Sequence, residues 1–223
     1  MNPKIVACCF PIVVLAVLAS WRFLDAWLAL GVMDLLHSSD LLQTSISNIP
    51  DVLFLLVCVG SALLWGNYFF LRQRGIINEQ SRFSQLAGSA VPLAYFLKWL
   101  CKIVFGRINM RIWLENQVSD DFHWFQGGGD YSSFPSGHMA VFAAFFAAVS
   151  LFYPRYRTIS TGLLLVLAVA LIATDYHFLS DVIAGAYLGL IATCLTGFCF
   201  DKIWCGGGLT RSESSGNSRQ DVE

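Results

Sequence analysis

Charge is scarce in this sequence. Asp, Glu, Lys and Arg make up 13% of its 223 residues, about half the share usual in soluble domains. The few charges are gathered into short stretches between long apolar runs, and the mean hydropathy is +0.61. A water-soluble globular core is thereby excluded, and the pattern is that of an integral membrane protein. Basic charge is not in excess either. The formal net charge is −1 and no basic stripe runs along the chain, which excludes an electrostatic grip on nucleic acid. Paired Cys-x-x-Cys spacing is missing as well. Cys8, Cys9, Cys58, Cys101, Cys194 and Cys199 fall inside apolar segments and Cys205 ends the last one, so they read as small hydrophobes rather than a disulfide or zinc framework. There is no internal repeat, and no cluster of carboxylates suited to a catalytic metal, so metal-independent chemistry without a cofactor is expected.

What the chain does have is apolar length. Six stretches approach the roughly 20 residues that a span requires: Ile5–Trp21, Val52–Leu71, Leu86–Phe105, His138–Tyr153, Ile159–Ala173 and Val182–Phe200. The expected fold is all-α, a polytopic membrane protein of six transmembrane helices over residues 1–205. Residues 206–223 are polar, Ser-rich and aperiodic, and read as a disordered cytoplasmic tail hinged at Gly206-Gly207-Gly208. Met1–Ser20 resembles a cleavable leader ending at Leu18-Ala19-Ser20, but five further spans favour an uncleaved signal anchor. Leu24–Leu36 is apolar yet broken by Asp25 and Asp34. It reads as an amphipathic helix in the interface, with a bent continuation of the first span as the alternative.

Positive charge orients such a bundle. With the N-terminus inside, the inner segments carry Lys4, then Arg72, Arg74 and Arg82, then Arg155 and Arg157, then Lys202, Arg211 and Arg219. The outer loops carry Arg22, Arg107 and Arg111. Segment 106–137 and the link 175–180 then share the outer face. Lys102 and Arg107 leave span three there, Ser136 and His138 begin span four, and His177 and Asp181 lie where span five passes to span six. Ionisable groups at such depth are costly and usually functional.

These residue types suit phosphoryl chemistry. Pro135-Ser136-Gly137 ahead of an apolar helix is a helix-start pattern, with Ser136 as N-cap and free amides that bind anions, although a cap alone explains Ser136. Lys102 and Arg107 supply fixed positive charge for phosphate oxygens, with snorkelling at the boundary the alternative for Lys102 and the preferred reading for Lys98. His177 and Asp181 are four apart and share a helix face. A carboxylate on one ring nitrogen leaves the other basic and aimed, which makes the imidazole a nucleophile toward phosphorus; a structural His–Asp pair is the plainer option. His138 is placed to be the general acid. His37 and His123 have no assigned role, and the aromatic patch around His123 suits the headgroup level. Gly127-Gly128-Gly129 reads as turn material.

With those residues in place the chain resembles the type-2 phosphatidic acid phosphatases, membrane lipid phosphatases related to vanadium haloperoxidases, from about span two to span six. The Pro-Ser-Gly-His motif is intact at Pro135–His138, and the His-x-x-x-Asp half of the third motif is intact at His177 and Asp181. Val182-Ile183-Ala184-Gly185 also fits. Lys102 fits the start of the first motif and Gly106-Arg107 a dipeptide often found inside it, but the expected Arg-Pro falls on Asn109-Met110. The Ser-Arg of the third motif falls on Ala170-Leu171. Arg111 is the nearest substitute for a missing cation, and Asp175 adds an unhelpful negative charge.

The resemblance implies that His177 is a nucleophile forming a phospho-histidine, that Asp181 orients it, and that His138 protonates the leaving group. Lys102, Arg107 and the Ser136-Gly137 amides would hold the phosphoryl oxygens. The expected activity is hydrolysis of a lipid phosphate or pyrophosphate monoester at the outer face of a bacterial inner membrane. The alternatives are a phosphotransferase to a second lipid and a lipid-binding protein that kept the fold and lost the activity. Oligomeric state and the identity of the lipid stay open.

Overall fold

The structure is a computed structural model that describes residues 3–36, 49–116 and 121–209. The regular elements among these are eight α-helices with short π and 3-10 turns: α1 (Pro3–Ala19), α2 (Asp25–Leu36), α3 (Ile49–Gln73), α4 (Glu79–Phe105), α5 (Met110–Asn116), α6 (Gly137–Phe152), α7 (Arg157–Ala173) and α8 (Leu179–Leu209). The protein is an all-α polytopic membrane protein. Among the described residues, five stretches are long and apolar enough to cross a bilayer: Pro3–Leu35, Val52–Gln73, Glu79–Phe105, Pro154–Ala173 and Leu179–Asp201. The remaining expected span, α6, has 16 residues, about 24 Å of helix against a hydrocarbon core of about 30 Å. Leu63, Leu165, Val166 and Val169 are exposed on the outer faces, where lipid chains rather than water would meet them. His37 and residues 210–223 of the expected tail lie outside the described residues.

The N-terminal stretch runs on from the first span, as in the alternative reading of Leu24–Leu36. A π turn at Ser20–Leu24 joins α1 directly to α2. Such a turn inserts a residue and re-aims the face that follows. Asp25 is thereby buried in the bundle and Ala29 packs against Met110 and Phe178.

Small residues set how closely the inner helices approach. Gly185 and Gly189, one turn apart on α8, lie against α6. A Cβ on Gly185 would collide with the carbonyl oxygen of Ser136, and one on Gly189 with the backbone of Ala140 and Ala144. This is the small-residue contact that membrane helices use where no hydrophobic effect drives them together. Ala90, Val91 and Ala94 of α4, Val141 and Ala144 of α6 and Ala192 of α8 complete the core, with Leu53 and Val57 from α3. Thr193 adds a hydroxyl bond to the Ala144 carbonyl at 3.1 Å. The α3–α4 turn is fixed by Asn78, whose side chain caps α4 at the Ser81 amide, 3.0 Å away. Asn67 ties the two helices by donating to Ser84 at 2.7 Å.

Gly189→Leu is therefore expected to force α8 away from α6 and lower stability by at least the ~1–3 kcal/mol typical of overpacking. Gly162→Ala on α7, where a Cβ meets nothing within 4 Å, should be neutral or slightly stabilising. Thermal unfolding of both variants in detergent checks the pair.

The same packing brings three ends together. α4 stops at Gly106, which is left-handed (φ 53°) and donates its amide to the Lys102 carbonyl at 3.1 Å, a C-terminal cap that favours glycine. α6 begins beside it. α7 ends at a turn with Asp175 at φ 54° and the Tyr176 amide bonded back to the Leu171 carbonyl at 3.0 Å. Asp175 thus serves the turn that presents His177.

Candidate active site

The strap Ser132–Ser136 lies between α4 and α8. Lys102, at the end of α4, donates its Nζ to the Ser132 carbonyl at 2.5 Å. Ser133 donates its backbone amide to the Arg107 carbonyl at 2.9 Å, and Ser136 donates its amide to the Asp181 carbonyl at 3.0 Å. Ser136 also caps α6, its Oγ accepting from the Met139 amide at 3.4 Å. The Ser136 amide and hydroxyl are thus engaged within the protein. The amides of Gly137 and His138 open the first turn of α6, where N–H groups have no intrahelical acceptor.

Asp181 is fully buried and held from several sides. Its Oδ2 accepts from Ser133 Oγ at 2.5 Å and from the Phe178 amide at 3.2 Å, and it faces His177 Nδ1 at 3.5 Å. Its Oδ1 accepts from Arg107 Nη1 at 2.8 Å. Ser133 Oγ lies 3.5 Å from the same His177 nitrogen, so Nδ1 looks onto a hydroxyl and a carboxylate together. A proton on Nδ1 is favoured there, which leaves Nε2 as the unprotonated ring nitrogen. Burial pushes the His177 imidazole below its usual range. The hydrogen bond and charge of Asp181 oppose this, and the ammonium groups of Lys102 and Lys98 add to the lowering.

The two histidines are brought around one aromatic ring. His138 meets Tyr176 edge-on with centroids 5.4 Å apart, and His177 meets the same ring at 5.1 Å. His123 is not among these contacts. It meets Tyr131 edge-on with centroids 4.7 Å apart in a loop whose aromatic residues Phe122, Trp124 and Phe134 cluster on Phe105. Gly127 of the triple glycine packs on the Lys102 carbonyl with no room for a Cβ, and Gly128 and Gly129 have positive φ, so this segment is a tight turn.

Two expected phosphate-holding cations face elsewhere. Arg107 has no exposed surface and spends its guanidinium on carboxylates: Nη1 on Asp181 and, at 2.6 Å, on Ser180 Oγ, and Nη2 on Asp25 at 2.9 Å. It stands behind Asp181 instead of in front of it. Burial opposes its charge, but the Asp181 and Asp25 carboxylates outweigh that and raise its pKa, so it stays cationic. Arg111 donates to the Thr174 carbonyl at 3.0 Å and lies 5.6 Å over the Tyr176 ring, bracing the link between α7 and α8. The positions where cations are missing hold other roles. Leu171 packs with Met139 and Val182, and Asn109 bonds the carbonyls of Asp130 and Gly129 through its backbone and side-chain nitrogens.

Several site residues were not legible beforehand. Lys98, read as a snorkelling lysine, packs its side chain on Gly137 at the start of α6, where a Cβ would lie 3.4 Å from its Nζ, and it sits 4.0 Å over the Tyr95 ring. Its signal was the spacing Lys98–Lys102, one turn on a single face. Asp25 was signalled only as an ionisable group in an apolar run. Ser133, Ser180 and Tyr176 carried no signal of their own. Beside the strap, an apolar cavity of about 620 Å³ opens between α1, α4 and α8, lined by Val14, Leu18, Phe105, Pro135, Ala184 and Leu188 among others.

The profile of the PAP2 superfamily matches residues 85–204, which contain Lys98, Lys102, Arg107, the strap, both histidines and Asp181. The chain belongs to that superfamily. Over 82 residues it is 39% identical to a lipid A 1-phosphatase of Rhizobium johnstonii and 38% identical to one of Rhizobium etli. Each alignment covers 37% of this chain and about a third of the relative (33% and 34%). A solved transmembrane PAP2-type phosphatidylglycerolphosphate phosphatase from Bacillus subtilis aligns over 89% of this chain and 96% of its own length, at 15% identity and a TM-score of 0.45.

Proposed function

We propose that the protein is a membrane phosphatase that hydrolyses a lipid phosphate or pyrophosphate monoester through a phospho-histidine. The observation that carries the reading is His177 backed at Nδ1 by Asp181 and Ser133, with His138 on the same Tyr176 ring at the start of α6. His177 Nε2 attacks phosphorus as the bond to the leaving oxygen breaks, and His138 gives that oxygen its proton. Water then attacks phosphorus, His138 takes a proton from that water, the bond to His177 Nε2 breaks, and inorganic phosphate leaves. Lys102, Lys98 and the Gly137 and His138 amides hold the phosphoryl oxygens, where charge develops in the transition state. Arg111 adds positive potential from over Tyr176.

The cavity beside Pro135 has the volume and apolar lining for part of the lipid's hydrocarbon, and its aromatic rim at Phe122 and Trp124 suits the headgroup level. The balance of positive residues supports a site on the outer face, and the bacterial relatives support a bacterial inner membrane. The shared chemistry is a phosphate monoester or pyrophosphate at the end of a lipid, as in a lipid A, prenyl or glycerolipid phosphate.

Lys98→Met is expected to raise KM for the lipid phosphate about tenfold, since it removes one charge-assisted contact of roughly 1.5–3 kcal/mol. Steady-state kinetics on the purified protein check this. The reading itself is tested by phosphate release from a panel of lipid phosphates and pyrophosphates, with a second lipid present as acceptor. Free phosphate supports the hydrolase, and a new lipid phosphate instead of free phosphate marks a transferase. The apolar setting of Leu171, where the family carries a cation, favours one second reading, a lipid-binding protein without turnover. No release from any lipid in the panel would favour that reading over the phosphatase.

A further inference from the structure

Asp25 lies outside the residues that define the family, yet it closes the charge network behind the nucleophile. Its Oδ2 accepts from Arg107 Nη2 at 2.9 Å and from the Ser180 hydroxyl, and its Oδ1 accepts from the Ser180 amide at 3.0 Å. Both side chains of the Asp25–Arg107 pair have no exposed surface. The π turn Ser20–Leu24 directs the carboxylate inward, where Arg107 is its cationic partner and Ser180 donates to it as well.

Counting charge shows what Asp25 supplies. Nucleophilic attack by His177 leaves its imidazole positively charged, and Asp181 is the anion beside Nδ1. Asp181 is also paired with Arg107. An Arg⁺–Asp⁻ pair alone is neutral, and it would offer a developing imidazolium little net field in a buried site. Asp25 supplies a second carboxylate to the same guanidinium. The cluster Asp25–Arg107–Asp181 then carries one net negative charge, which matches the one positive charge gained by His177.

We infer that Asp25 is a positioning residue that neutralises Arg107 and so keeps the charge of Asp181 available to His177. This rests on the phosphatase reading for its effect on turnover, but not for its effect on the imidazole itself. The charged and titratable groups around His177 are Asp181 on α8, Arg107 after α4, Lys98 and Lys102 on α4, His138 on α6, Arg111 on α5, Asp175 and Tyr176 in the link, and Asp25 on α2. Among them Asp25 is the anion joined to the network by Arg107 and Ser180, with Arg107 as its charged partner.

The test is Asp25→Asn, which keeps the shape and removes the charge. It takes one negative charge from the cluster, so the imidazolium is less stabilised and His177 titrates at lower pH. The expected results are a kcat reduced about tenfold or more with KM little changed, and an acid limb of kcat moved to lower pH by about half a unit or more. The same displacement should appear in the NMR titration of the His177 ring, which needs no turnover. Asp25→Glu, with the charge kept, should restore part of both.

A wild type without turnover would defeat the phosphatase reading while the NMR titration still tests Asp25. An active wild type, with kcat, acid limb and ring titration all unchanged in Asp25→Asn, would overturn this inference alone. Should the single variant not fold, Asp25→Asn/Arg107→Gln removes one charge of each sign. It should titrate His177 as wild type does, whereas a higher titration point, the effect of losing Arg107 alone, means that Asp25 is electrically silent.

Discussion

His177→Ala is expected to abolish phosphate release, by on the order of 10⁴-fold or more, because no other group can form the covalent intermediate. His138→Ala should cost about 10²–10⁴-fold with a lipid phosphate, the usual contribution of a general acid. The two losses should part company when the leaving group changes. A phosphoester of an acidic phenol needs no proton on its departing oxygen. His138→Ala should therefore recover its first step with that substrate and accumulate phosphorylated His177, since hydrolysis still lacks its base. His177→Ala should recover nothing. Rapid-quench kinetics with detection of acid-labile phosphate on the protein check this, and equal deficits with both leaving groups would contradict the assigned roles. Both variants should stay folded. The His177 side chain faces the site, and its backbone amide keeps its bond to the Leu171 carbonyl at 3.2 Å.

Arg107→Ala should instead unfold or severely destabilise the protein. It would leave Asp25 and Asp181, both buried, without the guanidinium that bridges them. Breaking a buried ion pair by removing one partner costs about 3–5 kcal/mol, and here one cation serves two anions. Arg107→Lys should recover only part, because a single ammonium cannot present the planar fork that reaches Asp181 with Nη1 and Asp25 with Nη2. Denaturation in detergent across pH gives a further signature. The stability lost by Arg107→Ala should shrink as the pH falls and the stranded carboxylates take up protons. An Arg107→Ala protein as stable as wild type would mean that this cluster does not form.

The contrast between His177 and Arg107 shows what a single chain makes legible. His138, His177, Asp181 and Lys102 were readable because their chemistry is unusual at the ends of apolar helices and their spacing is fixed within one element or motif. Arg107 was readable as a cation but not for its target. Its partners are 74 and 82 residues away in the chain, and no local pattern says whether a guanidinium will meet a phosphate or a carboxylate. Lys98 had the converse fault: its plain reading as a snorkelling side chain did not foresee that Gly137, lacking a Cβ, would admit it to the start of α6.

Composition and apolar length alone determined that the chain is a helical membrane protein, because burial in lipid leaves a backbone few ways to satisfy its polar groups. They also determined which segments carry polar residues to one end. Only the tertiary structure decided how that end is wired. The π turn after α1 turns Asp25 inward, and the close contact of Gly185 and Gly189 with α6 sets Ser136 against Asp181. The positions that lack a cation became core and turn. Those outcomes depend on contacts between segments far apart in sequence, where the energy of a buried charge is set by whichever partner the packing delivers.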